Sequence, residues 1–163
     1  MKRVCLLLVF LLGTFGVLSA HDAHEGVMNV ELKLNLSEGK DVTIKYRALN
    51  LGSGQTWGAI KTGESSRPFG IAEMTTSSDL MVGDVTVPAG THQLFIVGSA
   101  DGMSLQIGGS RQEPGPRVPI SVMAAPSQAE HLIIGATHGE GHSDFAMFMV
   151  YGESLGAVIF DTK

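Results

Sequence analysis

The sequence predicts an all-β fold, an antiparallel β-sandwich or distorted barrel, preceded by a cleavable signal helix. Three observations carry that reading. Apolar residues alternate strictly in the first segment after the leader, short β-type runs recur at regular spacing between Gly- and Pro-containing turns, and no window beyond the leader shows a helical stripe. Many short strands with no helix between them favour an antiparallel sheet over a parallel one.

The elements follow in order. Met1-Lys2-Arg3 is a basic start, Val4 to Leu12 is unbroken apolar sequence, and Gly13 and Gly16 loosen the helix before Val17-Leu18-Ser19-Ala20. That is the tripartite secretory pattern, with cleavage expected after Ala20. The apolar stretch is shorter than the roughly 20 residues that span a bilayer, so no transmembrane anchor is expected after processing. Residues 1–20 are thus read as a signal peptide and residues 21–163 as a single β domain, periplasmic or extracellular, in a bacterial setting. Removing the leader takes Lys2, Arg3 and no acid, which leaves nine basic against sixteen acidic residues, a net charge of −7. A nucleic-acid partner is disfavoured, because phosphate recognition needs a basic footprint. Cys5, the single cysteine, leaves with the signal, and with it any internal disulfide, thiolate metal site or cysteine nucleophile.

From Met28 to Leu36 the apolar positions are Met28, Val30, Leu32, Leu34 and Leu36, a half-buried strand. Ser37-Glu38-Gly39-Lys40 turns the chain, and Val42, Ile44 and Tyr46 resume the alternation as the second arm of a hairpin. Residues 50–70, rich in Gly and Ser with Trp57 and Arg67-Pro68 embedded, read as a long loop with at most one short strand. Strand-like runs then return at 71–77, 80–87, 92–97, 103–107, 118–123, 131–136, 145–151 and 155–160. Pro88-Ala89-Gly90, Asp101-Gly102 and Gly152-Glu153 are the turn signals between them. In the late runs both faces are apolar: Phe145, Met147 and Met149 on one side, Ala146, Phe148 and Val150 on the other. A one-sided wet sheet would alternate, so the second face calls for a covering loop, closure into a barrel, or a homo-oligomeric contact through an apolar sheet face.

Glu73-Met74-Thr75-Thr76, Asp79-Leu80-Met81-Val82-Gly83 and Val87-Pro88-Ala89-Gly90-Thr91-His92-Gln93-Leu94-Phe95 together resemble the signature of the domain-of-unknown-function family 2911 (DUF2911). There an Ala-Thr-Thr segment precedes a strand, a Pro-Ala-Gly-Thr-Tyr turn and a Leu-Phe strand. Phe148 to Glu153 is similar to the family's last hairpin, so the resemblance covers roughly residues 40 to 160. His92 stands where the family usually has Tyr, Tyr151 where it usually has Trp, and the Trp-Arg-x-Gly-Ala-Asn segment is reduced to Ile60-Lys61-Thr62-Gly63, marks of a divergent member. The resemblance implies an exported all-β domain and transfers no catalytic residue.

Six histidines are the chemical excess of the chain, and all lie beyond Ala20. Cleavage would leave His21 at the amino terminus, where its amine and imidazole, with a second nitrogen donor such as His24, suit Cu(II). In the second group, His138, Glu140, His142 and Asp144 would project from one face if strand geometry continued through the segment, offering nitrogen and carboxylate ligands to zinc or copper. The same segment also reads as an ordinary polar connection between strands. His92 shares a strand face with Leu94 and Ile96 and reads as a core histidine with one hydrogen-bonded nitrogen; His131 reads as a surface residue. No Gly-x-Ser-x-Gly elbow is present, and Gly52-Ser53-Gly54 and Gly108-Gly109 lack the strand-to-helix context of a phosphate cradle.

The functional expectation is a non-enzymatic binding or accessory module for a small-molecule or protein partner. Trp57 and the 50–70 loop would be its recognition surface, unless Trp57 is instead a plug over the apolar sheet face. The alternative is a periplasmic copper- or zinc-binding protein that uses His21, His24, His138, Glu140 and His142.

Overall fold

The computed structural model describes residues 28–36, 39–49, 55–63, 67–110, 113–139 and 144–162, with 55–57 described by their backbone alone. The expected all-β architecture is present. In chain order the elements are β1 (Met28–Asn35), β2 (Asp41–Ala48), α1 (Gln55–Lys61), β3 (Phe69–Thr76), β4 (Leu80–Val82), β5 (Val85–Val87), β6 (Gly90–Ser99), β7 (Gly102–Ile107), β8 (Arg117–Pro119), β9 (Ser121–His138) and β10 (Asp144–Thr162). They form two antiparallel sheets, ordered β1-β2-β3-β6-β7-β8 and β5-β4-β10-β9.

Period-two alternation sets the register of the first sheet. Val30, Tyr46, Ala72, Leu94 and Ile107 lie opposite one another across five strands and face the core. The neighbouring row, Glu31, Lys45, Glu73 and Gln93, faces outward, with Glu31 also 3.1 Å from Lys33 and the Gln93 amide donating to Glu73 at 2.9 Å. A one-residue slip would exchange these rows, so burial pins the pairing.

Four segments depart from the sequence reading. The run at 80–87 is two strands joined by a two-residue turn, with Val82 opposite Val85. The run at 118–123 is divided between the sheets: β8 ends at Pro119, which has no N–H to give, and the Ile120 N–H donates to the Met103 carbonyl at 2.9 Å before β9 begins. Within 50–70 lies a short helix, α1, where only loop was expected. It is seven residues long and contains Gly58, and a helix of barely two turns leaves no measurable period in the sequence; among its residues 58–61 it buries Ile60. Gly63 ends it at φ +74°, and a Cβ there would sit 2.5 Å from the Ser99 carbonyl oxygen, which keeps α1 close against β6 and β7.

The fourth departure decides the shape of the second sheet. No hairpin turn occurs at Gly152-Glu153, contrary to the expected last hairpin; β10 runs through from Asp144 to Thr162. Fifteen residues of extended chain span roughly 50 Å. Nevertheless the rings of Phe145 and Phe160 stack at 4.8 Å with planes 2° apart, and a Cβ on Gly156 would lie 3.6 Å from the Met149 methyl carbon. The strand therefore folds back on itself, with Phe145, Met147 and Met149 of one arm packed toward Phe160, Val158 and Gly156 of the other. Gly152, at φ +55°, makes the bend, and inward positions change there from odd to even before Ser154.

On the outward side of the first arm the Phe148 ring lies directly over Gly135, its cross-strand partner. Outward apolar residues stay open elsewhere: Ile133 is 47% exposed and Ile159 60%. The described part of the 50–70 segment packs on β6 and β7 and leaves both uncovered.

An alanine at 152 has to adopt a left-handed conformation that a Cβ opposes. Gly152→Ala should lower unfolding free energy by about 1–2 kcal/mol, read from urea melts. Unchanged stability would show that β10 does not need a left-handed residue at its bend.

Candidate functional site

Passing the bend costs the two paired strands unequal lengths of chain. Val150 lies opposite Ile133 and Ser154 opposite Ala124, so β10 advances four residues where β9 advances nine. The excess falls in two stretches on either side of the Gly152–Ala129 rung: Glu130 to Leu132 stand opposite Tyr151 alone and Ala125 to Gln128 opposite Glu153 alone, and Pro126 in the second stretch has no N–H to offer the ladder. From Ser121 to His131 the strand is exposed apart from half-buried Ala125 and Ala129.

The unpaired residues Ala125 to Gln128, with the paired residues Val122 to Ala124 before them, line one side of an open hollow of about 640 Å³. Its lining comprises Val122 to Gln128 of β9, Glu153 and Ser154 of β10, and Lys61 at the end of α1. Ser154 is buried at 4% exposure because the parity change at Gly152 turns it inward, and the same change leaves Glu153 facing out. Lys61 reaches the cavity because Gly63 fixes the C-terminal end of α1 against Ser99. Lys61 and Glu153 line the same space without forming an ion pair with each other. A second hollow of about 360 Å³, at Asn29, Val30, Glu31, Lys45, Tyr46 and Arg47, lies on the regular β1–β2 hairpin, where the strand ladder is unbroken.

The residues singled out from sequence fall as follows. His92 is half-buried in the inward row opposite Met74, with its Nε2 2.8 Å from the Pro88 carbonyl oxygen, as expected of a core histidine with one bonded nitrogen. His131 is exposed, as expected. His138 is exposed at the end of β9, opposite Phe145. The next rung joins the Gly139 N–H to the Asp144 carbonyl oxygen at 3.0 Å, and the Asp144 carboxylate lies against the Gly139 Cα. Pairing thus assigns His138 and Asp144 to opposite faces of the ribbon, where the sequence reading had them on one. His21, His24, Glu140 and His142 lie outside the described residues, and Trp57 is placed by the backbone of α1, one turn before Lys61, with its side chain outside the description. Among the described residues no three His, Cys, Asp or Glu side chains gather closely enough to hold a metal ion. Among them, too, no helix is long and apolar enough to cross a membrane.

Sequence reasoning missed Lys61, Glu153, Ser154 and the 122–128 wall. The available signal was Pro126-Ser127-Gln128 interrupting what is otherwise a β-type run.

Comparison with protein-family models, curated proteins and solved structures finds no match for this chain. The resemblance to family 2911 rests on the residues that carry it. Pro88-Ala89-Gly90 does turn the chain into β6, with the Ala89 N–H donating to Asp79 Oδ1 at 2.9 Å.

Because the unpaired run is exposed, deleting Pro126 to Gln128 should change unfolding free energy by no more than about 1 kcal/mol while shrinking the cavity. A loss above about 3 kcal/mol in a chemical melt would show that the run supports the fold instead of shaping a site.

Proposed function

We propose that this chain is an exported, non-enzymatic binding or accessory module, a divergent relative of family 2911, whose binding site is the cavity between α1 and the unpaired run of β9. The single observation that carries the reading is the cavity's construction. Beside the bend, four residues of β9, Ala125 to Gln128, stand opposite a single residue of β10 and border an open hollow whose volume lies within the usual range of ligand sites, about 300–1,000 Å³. A bulge that served only to bend the strand would need about one residue. Export is supported by the tripartite leader, and a binding role by the absence from the sequence of a nucleophile elbow or phosphate cradle. The 50–70 segment keeps part of its expected role, since it supplies Lys61.

Amide NMR on the purified protein tests this reading. Titration with amino acids, short peptides and saccharides should move the resonances of Val122 to Gln128 and Lys61 for at least one class. Ala125→Trp, which fills the cavity from a half-buried wall position, should abolish those shifts. If no class moves them, or the filled variant responds like the parent, the cavity is not a binding site.

A further inference from the structure

We infer that the cavity takes a zwitterionic ligand, a short peptide with a free amino end, a free carboxyl end and an apolar side chain between them. The inference rests on the binding-module reading above and specifies its ligand.

Charge carries the argument. The four strands of the second sheet contain Glu130, Asp144, Glu153 and Asp161 and no Lys or Arg. The cation at the cavity is brought from outside that sheet, on α1, and lines the same hollow as Glu153 at the bend of β10. Among the described residues neither Lys61 nor Glu153 forms an ion pair, and both side chains are exposed, so both charges can meet a ligand. A monoanion or monocation would satisfy one of them and be opposed by the other, and a neutral saccharide would use neither charge. A zwitterion meets both, its carboxylate at Lys61 and its ammonium at Glu153, through charge-assisted hydrogen bonds.

The rest of the wall fits such a molecule. Val122 and Met123, 41% and 54% exposed, offer apolar surface to a side chain. Ser127 and Gln128 supply a hydroxyl and an amide that can bond a peptide group. Met123 adds an unbranched thioether that adapts to more than one side-chain shape, which favours a class of peptides over a single one.

The probes are Ala-Leu-Ala with both ends free, its N-acetyl form, its C-terminal amide and the doubly blocked form, each titrated while the resonances of Val122 to Gln128 are followed. Because Lys61 and Glu153 are solvated, blocking either end should weaken binding roughly three- to fivefold. Lys61→Gln should erase the preference for carboxylate over carboxamide and keep the preference for ammonium over acetyl; Glu153→Gln should do the reverse. Both are exposed substitutions, and unchanged amide spectra away from the cavity verify the fold. Four equal affinities in the parent protein, or a preference that survives its variant, would overturn the inference. If the peptides leave the cavity resonances still while another ligand class moves them, the binding reading stands and the peptide assignment falls. If no compound moves them, both fall.

Discussion

The stacked rings of Phe145 and Phe160 are the contact on which the rest of the molecule depends. They are fifteen residues apart on one strand and meet only because β10 reverses at Gly152. Once it does, the inner faces of both arms are covered by each other, which explains an alternation of Phe and Met on a strand with no helix to cover it. Aromatic stacking contributes about 0.5–1.5 kcal/mol beyond the apolar area it buries. Its larger effect here is geometric, since it sets how far the β9–β10 ribbon must bend and so how much extra chain β9 must find. The β9–β10 ribbon is also tied to the residue that follows β2 by the Leu132 N–H, which donates to the Leu49 carbonyl at 3.0 Å.

From that bend follows the contrast between the sheets. The first sheet has an ordinary wet face, where Lys45 lies between Glu31 and Glu73 across the ladder, Lys33 pairs with Glu31 and the Gln93 amide donates to Glu73. The second has carboxylates without cations and retains open apolar residues such as Ile133 and Ile159. The short helix, held by Gly63 against Ser99, places Lys61 beside it. The cavity therefore depends on three local features that no single element supplies: the bend at Gly152, the excess in β9 and the stop at Gly63.

Much of the fold was legible in the sequence, for a definite reason. Where one face is wet and one is dry, as in Met28 to Leu36, period two is visible and the strand can be read directly. The same logic fails where both faces are apolar. The run from Phe145 to Phe160 shows Gly152 between two β-type stretches, and a glycine there is equally compatible with a hairpin turn and with a fold-back; packing of Phe145 on Phe160 decides between them, and that contact is long-range. The helix was invisible because seven residues interrupted by Gly58 are too few to show a period. Of the site, the charges were present in the sequence as ordinary solvated residues, and the register of β9 against β10, together with the stop of α1 at Gly63, brings Glu153 and Lys61 to one cavity. The histidines drew attention by their number, yet His92 and His131 prove to be a packing and a surface residue.

The most direct test of the fold-back is a double-mutant cycle on its closing contact. Phe145→Ala and Phe160→Ala should each cost about 3–5 kcal/mol in a urea melt, and the double variant should cost less than the sum by about 1 kcal/mol or more, because each ring is the other's partner. Strictly additive losses would place the two rings in separate parts of the core and contradict a β10 that folds back on itself.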